Sequence, residues 1–209
     1  MNGLFLDFTL SSFFSAALFS DGKCLYALCS HSNVKHLSGE IPLLVGNVLL
    51  YAGKGFEEID FVCVSRGPGS FTSLRSIISY VKGLNAASGI PVYSFSSFEY
   101  IAFSFFSMFE DEKVSLLLFT GSKSLFYYSS FSRNSKGLPK ADGVINIVRL
   151  EDISINKTKV ISSEREKGFL DINTFIREGA IAMGRLFFAL DVKPKPENIE
   201  SLSPDYVFV

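Results

Sequence analysis

Phe61-Val62-Cys63-Val64-Ser65-Arg66-Gly67-Pro68-Gly69-Ser70-Phe71-Thr72-Ser73-Leu74-Arg75, continuing through Ile77, Ile78 and Val81 to Lys82-Gly83-Leu84, is the stretch on which the fold turns. Phe61 to Val64 is short, apolar and β-favouring, the pattern of a buried strand. Arg66-Gly67-Pro68-Gly69 cannot continue it, because Gly and Pro punctuate the backbone. Ser70 or Thr72 can then cap a helix. From Phe71 the apolar residues recur as Leu74, Ile77, Ile78, Val81 and Leu84, which is helical spacing. A strand, a glycine-rich turn and a helix N-terminus together form a ready anion site. The glycines equally serve a bare strand-to-helix turn, and without a phosphate-gripping Lys the residues favour that plainer reading.

On the N-terminal side, Leu4-Phe5-Leu6 reads as a strand, followed by the turn Asp7-Phe8-Thr9-Leu10-Ser11-Ser12. A carboxylate among hydroxyls suits a phosphate or metal turn; it also suits an Asx or Ser turn between hairpin strands. Ser15 to Phe19 and Cys24 to Ser30 are further strands, joined by the hairpin signal Asp21-Gly22. A helix from about Val34 to Ala52 places Leu37, Ile41, Leu44, Val45, Val48, Leu49 and Ala52 on one stripe, and Leu43, Leu50 and Tyr51 widen it beyond one face. Such a helix is either deeply buried or packed on a second protein. Gly53 and Gly55 end it. On the Phe71–Leu84 helix, Thr72, Ser76, Ser79 and Gly83 form a second stripe of small residues, which lets a neighbouring helix come close or simply faces water.

On the C-terminal side, Ile90 to Tyr93 is a strand, and Ser96-x-x-Glu99 is a capping box opening a helix with Phe98, Ile101, Phe105 and Met108 on one face. Glu110 to Lys113 is the candidate domain boundary, dividing the chain into lobes 1–110 and 111–209. The order βββαβαβα before it is that of an α/β fold. Beyond it, Val114–Phe119, Leu125–Phe131, Val144–Leu150 and Lys159–Ser162 read as strands, and residues 133–143 as a polar loop. Asp171 or Asn173 can cap a helix carrying Ile176, Ala180, Met183, Phe187 and Leu190, and the tail from Lys193 is Pro-rich. No repeat of solenoid type is visible.

With 209 residues and a net charge of −1, the chain can bury a core and carries no basic field for nucleic acid. Hydrophobic residues at 47% exclude a disordered chain. The 22 phenylalanines point to apolar surface covered by a partner, or to a Phe-rich drift in composition. Cys24, Cys29 and Cys63 form no C-x-x-C pair, so a reducing compartment is expected. His31 and His36 lack the spacing of a helical zinc site. Leu4 to Phe19 is nearly all apolar, but Asp7 interrupts it and no positive region precedes it, so it reads as strands of a cytosolic protein rather than a leader or membrane span.

A catalyst needs groups placed to attack, move protons or hold a metal. No nucleophile elbow, Walker loop or G-x-G-x-x-G occurs, and Glu57-Glu58 and Asp111-Glu112 fall in loops. Arg66 and Arg75 flank the glycine loop, where they could hold an anion or form salt bridges.

Arg66-Gly67-Pro68-Gly69-Ser70-Phe71-Thr72-Ser73-Leu74-Arg75 with Lys82-Gly83-Leu84 resembles the R-G-P-G-S-F-T-G-[LV]-R…[AK]-G-L signature of the TsaB (YeaZ) family. Leu4 to Thr9 is similar to that family's first strand and its I-D-T-S-T turn. Asp21-Gly22-Lys23 falls at its hairpin, Pro42 at the matching place in its first helix, and Pro204-Asp205-Tyr206 at its closing P-x-Y. The resemblance is dense over the first hundred residues and thin beyond. Thr120 to Tyr127 lacks the acid and Arg of the family's D-A-R-x-G-E-V-Y, Ser73 replaces a Gly, and Tyr206-Val207-Phe208 lacks a terminal Arg.

The resemblance implies a two-lobed actin-like, Hsp70-like ATPase fold (ribonuclease H-like) with a degenerate nucleotide site. In that reading Asp7 and Thr9 are the remnant of a phosphate turn, and Arg66, Gly67, Pro68, Gly69, Ser70, Thr72 and Arg75 are a fold signature. It implies a non-catalytic partner of TsaD that works with the ATPase TsaE on the threonylcarbamoyl modification of tRNA, needs no cofactor and reaches tRNA indirectly. The partner interface is expected at Ile41, Leu44, Val45 and Val48 on the first helix and at Thr72, Ser76, Ser79 and Gly83 on the second. The same helices could pair two copies of the chain when alone. The competing reading is a small phosphotransferase or ATP hydrolase of the same fold, with Asp7 and Thr9 at phosphate.

Overall fold

β1 (Asn2–Asp7) runs through the middle of a five-stranded sheet, between the antiparallel β2 (Phe13–Ser20) and the parallel β4 (Phe61–Gly67). β3 (Lys23–His31) closes one edge against β2, and β5 (Val92–Ser96) the other against β4, so the order is β3-β2-β1-β4-β5. The computed structural model describes residues 1–10, 13–31, 37–121, 124–153, 158–163, 169–176 and 178–205.

Local signals account for most of these elements. Asp21 and Gly22 both take positive φ, as a two-residue hairpin turn of the right twist requires. α1 (Leu37–Ala52) ends at Gly53, whose φ is +66°, and α2 (Phe71–Ser88) at the left-handed Gly89. α3 (Ser97–Met108) opens on the expected capping box: Ser96 N donates to Glu99 Oε2 at 2.7 Å, and Ser96 Oγ accepts from Phe98 N.

A second sheet contains β6 (Lys113–Phe119), β7 (Leu125–Arg133), β8 (Pro139–Ala141), β9 (Asn146–Arg149), β10 (Lys159–Ser162) and β11 (Leu170–Asp171). Its order is β11-β10-β6-β7-β8, with β9 also on β7. β6 is antiparallel to β7 and parallel to β10, as β1 is to β2 and β4. The second sheet thus repeats the strand order of the first, although no sequence repeat announces it. The polar loop expected at 133–143 contains β8, a three-residue edge strand whose solvated, Pro-bearing sequence carries no alternation. The helix expected after Asp171 is two helices, α4 (Asn173–Ile176) and α5 (Gly179–Ala189).

Alternation along the central strands is resolved by layers on both faces. Leu4, Leu6, Val62 and Val64 face α1 and α2, with Ile41, Val45, Val48, Ile77 and Val81. Phe5, Phe61 and Cys63 face the other way, into a core shared by α3, α5 and the inner face of the second sheet, including Val114, Leu116 and Leu118. Most of the phenylalanines are spent here; Phe61 and Phe187 stack at 4.7 Å, with Phe5 and Tyr93 edge-on to both.

Candidate functional site

The glycine loop is built against the first turn of the chain. Gly67 has φ +103° and precedes a cis peptide bond to Pro68. Ser70 N donates to Thr9 O at 2.7 Å, and a Cβ on Gly69 would collide with that same carbonyl oxygen. Glycine is needed at position 69 because two backbones meet there. Ser70 is the N-cap of α2, but its side chain makes no capping bond; its Oγ accepts from Ser73 at 3.0 Å.

Behind the loop, Asp7 and Thr9 are closed off from solvent, 2% and 0% exposed. Asp7 Oδ1 accepts from Thr9 N at 3.0 Å, Thr9 Oγ1 at 2.7 Å and the Tyr100 hydroxyl at 2.7 Å. Thr9 Oγ1 also bonds Ser97 Oγ and Tyr100. On the far side, the start of α5 presses on the carboxylate: a Cβ on Gly179 would collide with Asp7 Oδ2. Burial, the largest influence, raises the Asp7 carboxyl above its ordinary range, against the lowering effect of the Tyr100, Thr9 and Ser65 bonds. The Tyr100 phenol is pushed far up by burial and by Asp7.

In front of the loop lies an open cleft of about 390 Å³, lined by Thr9, Leu10, Gly69, Phe71, Phe119 and Gly121 among others. Among the described residues no group of three or more His, Cys, Asp or Glu is placed to hold a metal. Arg66 faces away from this cleft. Its Nε donates to Asp205 Oδ2 at 2.8 Å and its Nη1 to Ser94 Oγ at 2.9 Å, while Asp205 N donates to Arg66 O at 2.7 Å. Ser94 Oγ in turn donates to Glu197 Oε1. Arg66 therefore pins the C-terminal tail to the sheet across 139 positions of sequence.

The outer faces of α1 and α2 are bare. Leu43 and Leu50 are 62% and 71% exposed, and Tyr51 stacks on Tyr26 at 5.2 Å. On α2, Thr72, Ser79 and Gly83 are exposed and Ser76 half-buried, with nothing within 4 Å of a Cβ on Gly83.

Residues 31–192, well over half of the chain, match the family described as "TsaD: tRNA N6-adenosine threonylcarbamoyltransferase". Two curated relatives carry the name tRNA threonylcarbamoyladenosine biosynthesis protein TsaB. One is from Buchnera aphidicola of Acyrthosiphon pisum, 25% identical over 59% of this chain and 55% of its own length. The other, from Buchnera aphidicola of Schizaphis graminum, is 24% identical over 62% of each. The solved structure of YeaZ from Pseudomonas aeruginosa superposes with a TM-score of 0.79 at 20% identity, covering 99% of both chains. The chain belongs to this family, in its TsaB/YeaZ branch. The matched stretches span between about half and two thirds of the two curated TsaB relatives.

In this TsaB-family chain the expected interface residues of α1 need correction. Ile41, Leu44, Val45 and Val48 are buried in the layer between α1 and the sheet, at 9% exposure or less. The outward positions are Pro42, Leu43, Gly46, Asn47, Leu50 and Tyr51, with Leu43, Leu50 and Tyr51 the large apolar ones. Both faces of α1 are apolar, so the pattern alone could not say which one meets the sheet. Phe71, counted with the apolar stripe of α2, is 52% exposed and carries Arg75 across its ring. Of the TsaB motif residues, Ser122, Lys123, Tyr206, Val207 and Phe208 lie outside the described residues, as does the start of the 34–52 helix up to residue 36. The sequence missed Tyr100, the main partner of Asp7; a Tyr in a helix full of aromatic residues gives no signal of its own.

The raised Asp7 carboxyl has a consequence for pH dependence. A carboxyl with a folded pKa above the unfolded value of about 3.9 favours the folded state at low pH and loses that advantage as pH rises through the folded pKa. The wild-type chain is therefore expected to gain stability relative to Asp7→Asn when pH is lowered from about 7 toward 4. Urea unfolding of both chains across this range checks it; a relative loss on acidification would mean that Asp7 is held ionised by its hydrogen bonds.

Proposed function

We propose that this chain is a non-catalytic scaffold and activating subunit in tRNA N6-threonylcarbamoyladenosine synthesis, binding TsaD through the outer faces of α1 and α2. The carrying observation is the bare apolar face of α1 beside the small-residue face of α2: Leu43 and Leu50 are more than half exposed. Large apolar side chains grouped on one face are the mark of a docking surface. The burial of Asp7 supports the non-catalytic part, since its Oδ1 is engaged by Thr9 and Tyr100 and the carboxylate is closed off from solvent.

In this reading the lobe 1–110 carries the docking helices and the glycine loop, which sets the start and angle of α2, and 111–209 forms the second lobe. TsaE joins the complex through TsaD, tRNA is reached indirectly, and the protein works in the cytoplasm without a cofactor. Alone, the same face pairs two copies of the chain. Among the described residues no helix is long and apolar enough to cross a membrane.

Leu50→Asp tests the interface, because the side chain points outward and its loss leaves the core untouched. Co-purification with TsaD is expected to be lost, with affinity at least about tenfold weaker by calorimetry. Undiminished binding sinks the assignment. The cleft beside Thr9, Gly69 and Gly121 is the observation favouring the alternative, a small ATP-binding enzyme. Calorimetry with Mg-ATP decides it: micromolar binding, with turnover abolished in Asp7→Ala, would replace the scaffold reading.

A further inference from the structure

The outer face of the second sheet divides into an apolar half and a polar hollow. Leu117, Phe126 and Val160 are covered there by Leu150, Ile153 and Phe169. Beside them lies a cavity of about 170 Å³, lined by Lys113, Ser115, Tyr128, Ser130, Asp142 and Thr158, with Ile153 and Val160 as its apolar lining. Strand register builds it. Val160 on β10 pairs with Ser115 on β6, Ser115 pairs with Ser130 on β7, and Asp142 N donates to Ser130 O at 2.9 Å. One cross-strand row therefore runs Val160, Ser115, Ser130, Asp142. Lys113, two residues before Ser115 and so on the same face, stands in the next row, opposite Ser132.

Serines mostly face water, but Ser115 is 6% exposed, and its hydroxyl partner Tyr128 is 3.5 Å away, beyond the usual O–H···O range. Lys113 and Asp142 line the same small hollow, yet no ion pair joins them, and among the described residues neither has another ion-pair partner. Asp142 is held in place by the Ser132 hydroxyl, which donates to its Oδ1. Two opposite charges that share a hollow without meeting suit a ligand carrying both signs a few bonds apart. Hydroxyls, each donor and acceptor, serve either end of such a ligand. Volume bounds its size: the hollow is well under the roughly 300 Å³ at which pockets for drug-sized molecules begin. We infer that it binds a small zwitterionic amino acid, with the carboxylate on Lys113, the ammonium on Asp142 and a short side chain beside Ser115 and Val160. A plain anion would meet a like charge at Asp142, and a plain cation would do so at Lys113. The site lies on the second sheet and rests on none of the contacts proposed for TsaD.

L-serine, short and hydroxylated, is the probe, titrated into the whole chain and followed by calorimetry and amide chemical shifts. Binding is expected with a Kd of about 1 mM or tighter, with shifts centred on residues 113–115, 128–130 and 142. Lys113→Gln and Asp142→Asn are each expected to weaken it about tenfold. Both side chains are exposed, so neither change touches the core. Ethanolamine, which lacks the carboxylate, is expected to bind the wild-type chain about tenfold more weakly than serine, and to bind Lys113→Gln no worse than wild type. N-acetylserine, which lacks the ammonium, is expected to stand in the same relation to Asp142→Asn. Serine binding indifferent to both substitutions, or absent up to about 20 mM, would overturn the inference. Phosphate bound as tightly as serine, and lost in Lys113→Gln alone, would make this an anion site and overturn it equally.

Discussion

Phe187→Ala is expected to destabilise the protein by about 3–5 kcal/mol, lowering the melting temperature by roughly 6–20 °C for a chain of this size. Phe187 is 1% exposed and sits where α5 meets the first sheet. It stacks on Phe61 at 4.7 Å and meets Phe5, Tyr93 and Phe95 edge-on. Removing the ring leaves a cavity whose walls are themselves large rings fixed to β1, β4 and β5. They cannot collapse into the gap without moving backbone, so both the lost burial and the void are felt. The same ring lies under Lys193, whose Nζ donates to the Phe187 and Leu190 carbonyls at 2.8 and 2.7 Å, capping α5. Thermal and urea unfolding measure the effect. A loss below about 1 kcal/mol, the level of a surface substitution, would mean that α5 is not seated on the sheet as described.

Gly69→Ala is expected to cost about 2–4 kcal/mol, combining overpacking with a weakened backbone hydrogen bond. The new methyl would collide with Thr9 O and lie 2.9 Å from Thr9 Cγ2. Neither neighbour can yield: Thr9 is fully buried and held by Asp7, Ser97 and Tyr100. The 2.7 Å bond from Ser70 N to Thr9 O would stretch, loosening the start of α2. Gly83→Ala, the same change on the same helix, is expected to have the opposite sign. Nothing lies within 4 Å of the added methyl, and Ala is favoured over Gly in a helix interior by about 0.5–1 kcal/mol. Equal effects at the two positions in urea unfolding would show that contact with the Thr9 turn does not govern the loop.

Much of the fold was legible because its signals are local. The Asp21-Gly22 turn, the Ser96–Glu99 capping box, the stop at Gly53 and the strand–loop–helix from Phe61 onward each depend on a few adjacent residues. The candidate site was legible only in part. Gly69 reads as a turn residue from its sequence, but the reason for it, the Thr9 carbonyl, lies sixty positions earlier in the chain. The sequence leaves Arg66 as an anion holder or an ion-pair residue; its bond to Asp205 joins two motifs 139 residues apart. β8 was not legible, because a short edge strand takes its pairing from β7 and not from its own pattern.

The sequence by itself determined the order and type of the elements in the first half, the α/β class, and the membership carried by the glycine signature. Only the tertiary structure decided which side of each element is inside. α1 is apolar on two faces; the sheet takes Ile41, Leu44, Val45 and Val48 and leaves Leu43 and Leu50 outside. It also decided that α5 returns to cover Asp7, and that the second sheet repeats the order of the first. The physical reason is the same in each case. Periodicity is a property of neighbouring residues and reveals that a face exists, whereas what that face meets depends on chain segments far away in sequence.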